Sequence, residues 1–186
     1  MLEYNEIRLR KVIVWQDEPY EVIDSHVFRK QQRKPVNQTK LKNLITGKVI
    51  EQAFHQSEKV NEAEIESRDI KYLYSNKGEY WFCEKSDPAK RFQLPTELVA
   101  DKIIYVRPND LVQLLSFDSQ PIGLGIPIKV KLKVKEAAPA VRGNTVQGGT
   151  KQIVLETGAT VNSPLFVNEG DIVEINTETG EYSSRS

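Results

Sequence analysis

The sequence predicts an all-β fold, on three observations. Its apolar stretches are short and rich in Val, Ile, Tyr and Phe, nearly every one ends in a Gly, Asn, Asp or Pro cluster, and a single segment carries helix signals. At 186 residues the chain has room for one ordinary domain or for two or three small barrels, which disfavours a single large catalytic α/β fold.

Taken in order, Lys11–Trp15 turns at Gln16-Asp17-Glu18 into Pro19–Ile23, a hairpin pattern. Asp69–Tyr74 turns at Ser75-Asn76-Lys77-Gly78 into Glu79–Glu84, with aromatics on both faces, so one face is expected to be buried and the other covered. The one helix expected is short, with Thr96 capping Glu97–Ala100 after Pro95. Leu111–Phe117 turns at Asp118-Ser119-Gln120 into Pro121–Ile126. After Pro127, apolar and basic residues alternate strictly from Ile128 to Val134, predicting a strand with one buried face and one face of four lysines once Lys135 is added. Turns at Thr157-Gly158, Asn168-Glu169-Gly170 and Thr179-Gly180 separate the last strands, Gln152–Glu156, Thr160–Val167 and Asp171–Asn176. Residues 62–126 and 127–186 each offer the strands of a five-stranded OB-type Greek-key barrel, and the first sixty a smaller barrel. The boundaries fall near residue 63 and near Pro127, giving domains 1–63, 64–126 and 127–186.

The 26 basic and 26 acidic residues cancel, so bulk charge announces no polyanion binder. Their distribution does more. Residues 1–60 hold 11 basic and 8 acidic side chains, 61–127 hold 8 and 11, and 128–186 hold 7 and 7. From His26 to Ile50 there are seven basic residues and no acid, which predicts a local basic surface.

Signals for covalent or metal chemistry are thin. Cys83 is the one cysteine, which excludes an intramolecular disulfide and points to a reducing compartment, the cytoplasm. His26, His55 and Cys83 read as structural or surface residues, because no base and orienting group converge with them in the pattern. Glu62, Glu64, Glu66 and Asp69 read as a solvated edge or linker rather than an acid/base or metal site, and a β-barrel hydrolase would need a convergent cluster. No cofactor or metal is expected. No apolar run reaches the ~18 residues of a membrane helix, and Met1–Glu6 lacks the basic charge of a signal peptide.

Two segments are candidates for binding. Phe28–Gln38 lies between strand-like stretches and has little to bury, so it is expected to project as a hairpin loop whose cationic and amide side chains contact phosphates and ribose or base edges; a solvated loop without a partner is the plain alternative. The stretch Arg142–Lys151, with Gly143, Gly148 and Gly149, fits neither GxxxxGK[ST] nor GxGxxG. It is either a plain turn or a loop whose small residues let the backbone approach something flat or anionic.

The chain also resembles a known family over nearly its whole length. Thr157–Tyr182, Lys40-Leu41-Lys42-Asn43-Leu44-Ile45-Thr46-Gly47, Tyr72-Leu73-Tyr74, Gln120-Pro121-Ile122 and Gly148-Gly149-Thr150-Lys151 resemble, in order and spacing, the bacterial elongation factor P family, relatives of archaeal and eukaryotic initiation factor five A. The resemblance implies three β-barrel domains in an L shape, an SH3/KOW-like barrel followed by two OB-fold barrels. It implies a monomeric, non-enzymatic, cytoplasmic translation factor that binds ribosomal RNA and peptidyl-tRNA between the peptidyl and exit sites and relieves stalling at consecutive prolines. The implied tip loop is Arg29, Lys30, Gln31, Gln32, Arg33, Lys34 and Pro35, with Lys40 and Lys42 as further RNA contacts. The implied reader of the exit-site mRNA codon is Arg142, Gly143, Asn144, Thr145, Gly148, Gly149 and Lys151. This sequence departs from the pattern at the tip, which falls on Gln32 where members carry a modified lysine or an arginine, and at Asn144, where they commonly carry an acid. Gln32 acting unmodified is the preferred reading; a tip shifted to Arg33 or Lys34, a divergent paralogue, and a generic OB-type single-stranded nucleic-acid binder are the alternatives.

Overall fold

The computed structural model describes residues 1–29, 34–138 and 149–185. Its elements are β1 (Leu2–Glu3), β2 (Val12–Trp15), β3 (Glu18–Phe28), β4 (Val36–Asn43), β5 (Val49–His55), β6 (Lys59–Glu62), β7 (Glu66–Asn76), β8 (Glu79–Glu84), β9 (Arg91–Leu94), α1 (Thr96–Ile103), β10 (Leu111–Phe117), β11 (Gln120–Gly125), β12 (Lys129–Ala137), β13 (Thr150–Leu155), β14 (Thr160–Pro164), β15 (Ile172–Asn176) and β16 (Glu181–Arg185). The fold is all-β, with one short helix among the described residues. Three barrel-like sheets run in the orders β1-β6-β2-β3-β4-β5, β11-β10-β7-β8-β9 and β14-β13-β12-β15-β16. The chain condenses into two units, Met1–Arg68 with Leu114–Gly123, and Asp69–Gln113 with Leu124–Ser186.

Three hairpins close on two-residue turns in which both residues have positive φ: Gln16 and Asp17 (53° and 64°), Lys77 and Gly78 (51° and 84°), and Asp118 and Ser119 (47° and 63°). That geometry matches the twist of the flanking strands and fixes their register. The aromatic hairpin is covered on both faces where it is deepest, since the consecutive residues Phe82 and Cys83 are 0% and 1% exposed. Beyond the register shift between Tyr72 and Tyr74, Tyr74 lies outward and stacks on Trp81 with ring centroids 6.3 Å apart.

Two expectations need correction. Thr96 does not cap the helix: Pro95 occupies that position with φ −58° and ψ 143° and there is no side-chain cap. Proline has no N–H to satisfy and its fixed φ suits a helix start, which leaves the Thr96 hydroxyl to donate to the Gly78 carbonyl at 2.9 Å. The strand expected over Thr160–Val167 ends at Pro164, because proline cannot donate to a ladder, and the chain turns there with Val167 N–H bonded to the Pro164 carbonyl.

The first sheet wraps Ile7, Ile13, Tyr20, Val22, Leu41, Phe54 and Val60, with Trp15 set edge-on to Phe54 at 5.3 Å. The last wraps Leu132, Val134, Ile153, Leu155, Val161, Val173 and Ile175, and Tyr105, just after α1, is buried in the same cluster. Gly180, at φ +72°, sits where a Cβ would meet the Tyr105 hydroxyl at 2.9 Å, so both conformation and space call for glycine. Lys102 Nζ donates to the Thr177 carbonyl at 3.4 Å, and Thr177 Oγ1 donates to that of Pro127 at 2.8 Å.

Candidate nucleic-acid interface

The basic segment hangs from the longest hairpin of the first sheet. β3 and β4 pair from Tyr20 opposite Asn43 out to Phe28 opposite Val36, with one register shift between Val22 and Asp24, so residues 29–35 form the connection at the far end. β4 also pairs along its other edge with β5, from Lys42 opposite Val49 to Val36 opposite His55. The connection therefore stands on a three-stranded base.

What anchors that base is polar. Asn37, Thr39, Leu41 and Asn43 of β4 face inward and are buried. Thr39 Oγ1 donates to the Gln52 carbonyl at 2.8 Å. Asn37 Nδ2 donates to the carbonyls of Tyr4 and Ile7 at 2.6 and 2.8 Å, tying the N-terminal turn to the stalk. Asn43 Nδ2 donates to Glu18 at 2.6 Å while its Oδ1 accepts from the N–H groups of Ile45 and Thr46, both at 2.8 Å. Buried amides with such partners position backbone as well as filling space.

The outward face explains where the basic charge goes. Lys40 lies opposite Asp24 on β3 and 3.8 Å from Glu51 on β5, and Lys42 lies opposite Glu21. The acid-free run in sequence is thus interleaved with acids from neighbouring strands, and these two lysines sit on a mixed face. Beyond them the face changes character: His26, Phe28 and His55 are exposed, Phe28 by 40%. Arg29 and Lys34 are exposed at the ends of the connection and Pro35 is partly buried. Lys30, Gln31, Gln32 and Arg33 lie outside the described residues. Phe28 opens the candidate segment Phe28–Gln38, whereas His26 and His55, read in sequence as structural or surface residues, join this face through strand pairing, His26 opposite Gln38 and His55 opposite Val36.

The glycine-rich segment joins neighbouring antiparallel strands, since Ala137 of β12 pairs with Ile153 of β13. Of its candidates, Gly149 and Lys151 are described, Lys151 pairing with Ser163 across β13 and β14. Arg142, Gly143, Asn144, Thr145 and Gly148 lie outside the described residues. Among the acids weighed as a site, Asp69 binds Lys85 at 2.7 Å and Glu62 binds Lys11 at 2.5 Å, both at the surface. No group of three or more His, Cys, Asp or Glu able to hold a metal occurs among the described residues, and no helix among them is long and apolar enough to cross a membrane.

This all-β architecture recurs in solved structures. Solved structures of eukaryotic translation initiation factor 5A from Methanococcus jannaschii (TM-score 0.53, 14% identity, 64% of this chain and 88% of that one) and of a translation initiation factor eif-5a family protein from Naegleria fowleri (TM-score 0.51, 12% identity, 67% and 96%) share its fold. Residues 3–60 match the elongation factor P (EF-P) KOW-like domain and residues 130–185 the elongation factor P C-terminal domain. The elongation factor P of Moorella thermoacetica is 38% identical over 186 residues, covering 100% of both chains, and that of Thermodesulfovibrio yellowstonii is 37% identical over 182 residues, covering 98% of this chain and 97% of its own. The chain belongs to the elongation factor P family of translation elongation factors.

Proposed function

We propose that this protein binds the ribosome between the peptidyl and exit sites, contacts peptidyl-tRNA and ribosomal RNA, and relieves stalling at consecutive prolines. The observation that carries the reading is the β3–β4 hairpin: a stalk fixed by Asn37, Thr39 and Asn43 that ends in a cationic connection bounded by Arg29 and Lys34. A stalk of this kind serves positioning. Holding a constrained proline donor and acceptor in attack geometry lowers the barrier without covalent chemistry by the factor, so the protein is a non-enzymatic, monomeric, cytoplasmic cofactor-free assistant of ribosomal catalysis. Domains 1–63, 64–126 and 127–186 carry it, with Gln32 acting unmodified at the tip and the Arg142–Lys151 segment reading the exit-site codon.

The test is reconstituted translation of a message encoding consecutive prolines, with and without the unmodified recombinant protein, scored by full-length product. Rescue is expected. Ribosome binding without rescue would point to a missing modification or a paralogue with another task, and absence of both would overturn the proposal. The outward Tyr74–Trp81 stack favours a second reading, a general single-stranded nucleic-acid binder whose bases stack on a barrel face; tight binding to free oligonucleotides would select it.

A further inference from the structure

The chain has two histidines, far apart in sequence, and strand pairing brings both to one end of one face. His26 of β3 lies opposite Gln38 of β4, and His55 of β5 lies opposite Val36 of β4. Val36 and Gln38 alternate with the buried Asn37 and Thr39, so both imidazoles stand on the outward face, where each histidine is exposed. Two strand spacings and one two-residue step separate them by about 12 Å. That exceeds the Debye length of about 8 Å at physiological ionic strength, so the two rings can carry charge together. The charged groups that face them are of both signs. Asp24, two residues before His26, lies opposite Lys40, which is 3.8 Å from Glu51 of β5. A Glu58 carboxylate oxygen accepts the His55 backbone N–H at 2.6 Å, and Lys59 beyond it is paired with Glu3 at 3.4 Å. Arg29 and Lys34 bound the connection, whose Lys30 and Arg33 lie outside the described residues.

We propose that His26 and His55 make the end of the β3–β4 hairpin a pH-tuned surface for the phosphate backbone of RNA, whose grip tightens as the two rings become imidazolium. The inference rests on the ribosomal reading above and concerns the regulation of that same site. Histidine is the side chain that changes charge between about pH 5 and 8. In the free chain acids and bases both surround the pair, whereas a bound phosphate backbone adds negative charge alone. The complex therefore favours the protonated rings, and binding takes up protons. By linkage, affinity rises as pH falls through the range in which the bound rings are protonated ahead of the free ones, and it levels off once the free rings are protonated as well.

The test measures the affinity of the full chain for purified bacterial 70S ribosomes at an acid and an alkaline pH, about 6 and about 8, at constant salt. Wild type is expected to bind more tightly at the acid value. In His26→Gln/His55→Gln the ratio of the two affinities is expected to shrink by about tenfold, at roughly threefold for each exposed charge pair. His26→Lys/His55→Lys is expected to bind more tightly than wild type at the alkaline value, a gain that misfolding does not produce. Titration of the ribosome's own groups is common to all three chains and cancels in the comparison. A wild-type ratio in the glutamine variant, whether or not its affinity falls, or no gain in the lysine variant would overturn the proposal. A wild-type chain that binds ribosomes at neither pH would overturn the proposed function and this inference together.

Discussion

Asn37 does two jobs at once: its amide closes the chain's first turn against the hairpin that carries the cationic connection. Both acceptors, the carbonyls of Tyr4 and Ile7, have that amide as partner, so Asn37→Ala leaves a buried and a partly buried carbonyl without it and is expected to cost about 2 kcal/mol. A urea midpoint that falls at constant slope would show it, and an unchanged midpoint would refute it. Glu174 makes a different kind of residue-scale prediction. The hydrogen bond from Lys129 holds its carboxyl below the usual carboxylate range, with help from the charge of Lys131. A lowered native value means that the contribution of the pair is present above the unfolded value and fades as pH falls through the native one. In Lys129→Ala the Glu174 carboxyl is expected to titrate at higher pH, followed by its side-chain carbonyl shift in NMR.

At the scale of elements, the hairpins separate what is locally written from what is not. Gln16-Asp17 and Asp118-Ser119 adopt positive φ without glycine, at the cost left-handed backbone imposes on L-residues. Gln16→Asn with Asp17→Gly is therefore expected to raise stability by about 1 kcal/mol, and Gly180→Ala to lower it by more than that amount through its φ and the Tyr105 hydroxyl; thermal unfolding of each variant checks both. Those turns, and the alternation of β12, are legible in sequence because their signals span a few residues. β4 is not. Val36-Asn37-Gln38-Thr39-Lys40-Leu41-Lys42-Asn43 reads as polar on both faces, and only partners thirty residues away make Asn37 an interior residue. The same limit hides the pairing of Lys40 with acids on β3 and β5. The Thr96 cap failed for a related reason, since a hydroxyl near a helix start also sees the Gly78 carbonyl across the fold.

For the molecule as a whole, a net charge of zero means that any salt dependence has to come from local clusters rather than from an overall field. The cationic connection at the end of β3 and β4 is such a cluster, whereas the lysine row of β12 is interleaved with Glu174 and Glu156. Losing both Lys30 and Arg33 is expected to weaken ribosome binding and to flatten its salt dependence, whereas Gln32→Ala is expected to reduce rescue at proline runs while leaving affinity near wild type. Equal loss of affinity in both variants would place the tip in attachment rather than in positioning.

Cys83, on the second strand of the aromatic hairpin and 1% exposed, has a practical side. A thiol sealed in a β core reacts slowly with maleimides in the folded protein, so a second cysteine placed at an exposed position such as Arg29 or Lys131 can carry a fluorophore with the native one left in place. The same concealed sulfur becomes a reporter when the middle sheet opens, because its modification rate then measures how often that core breathes.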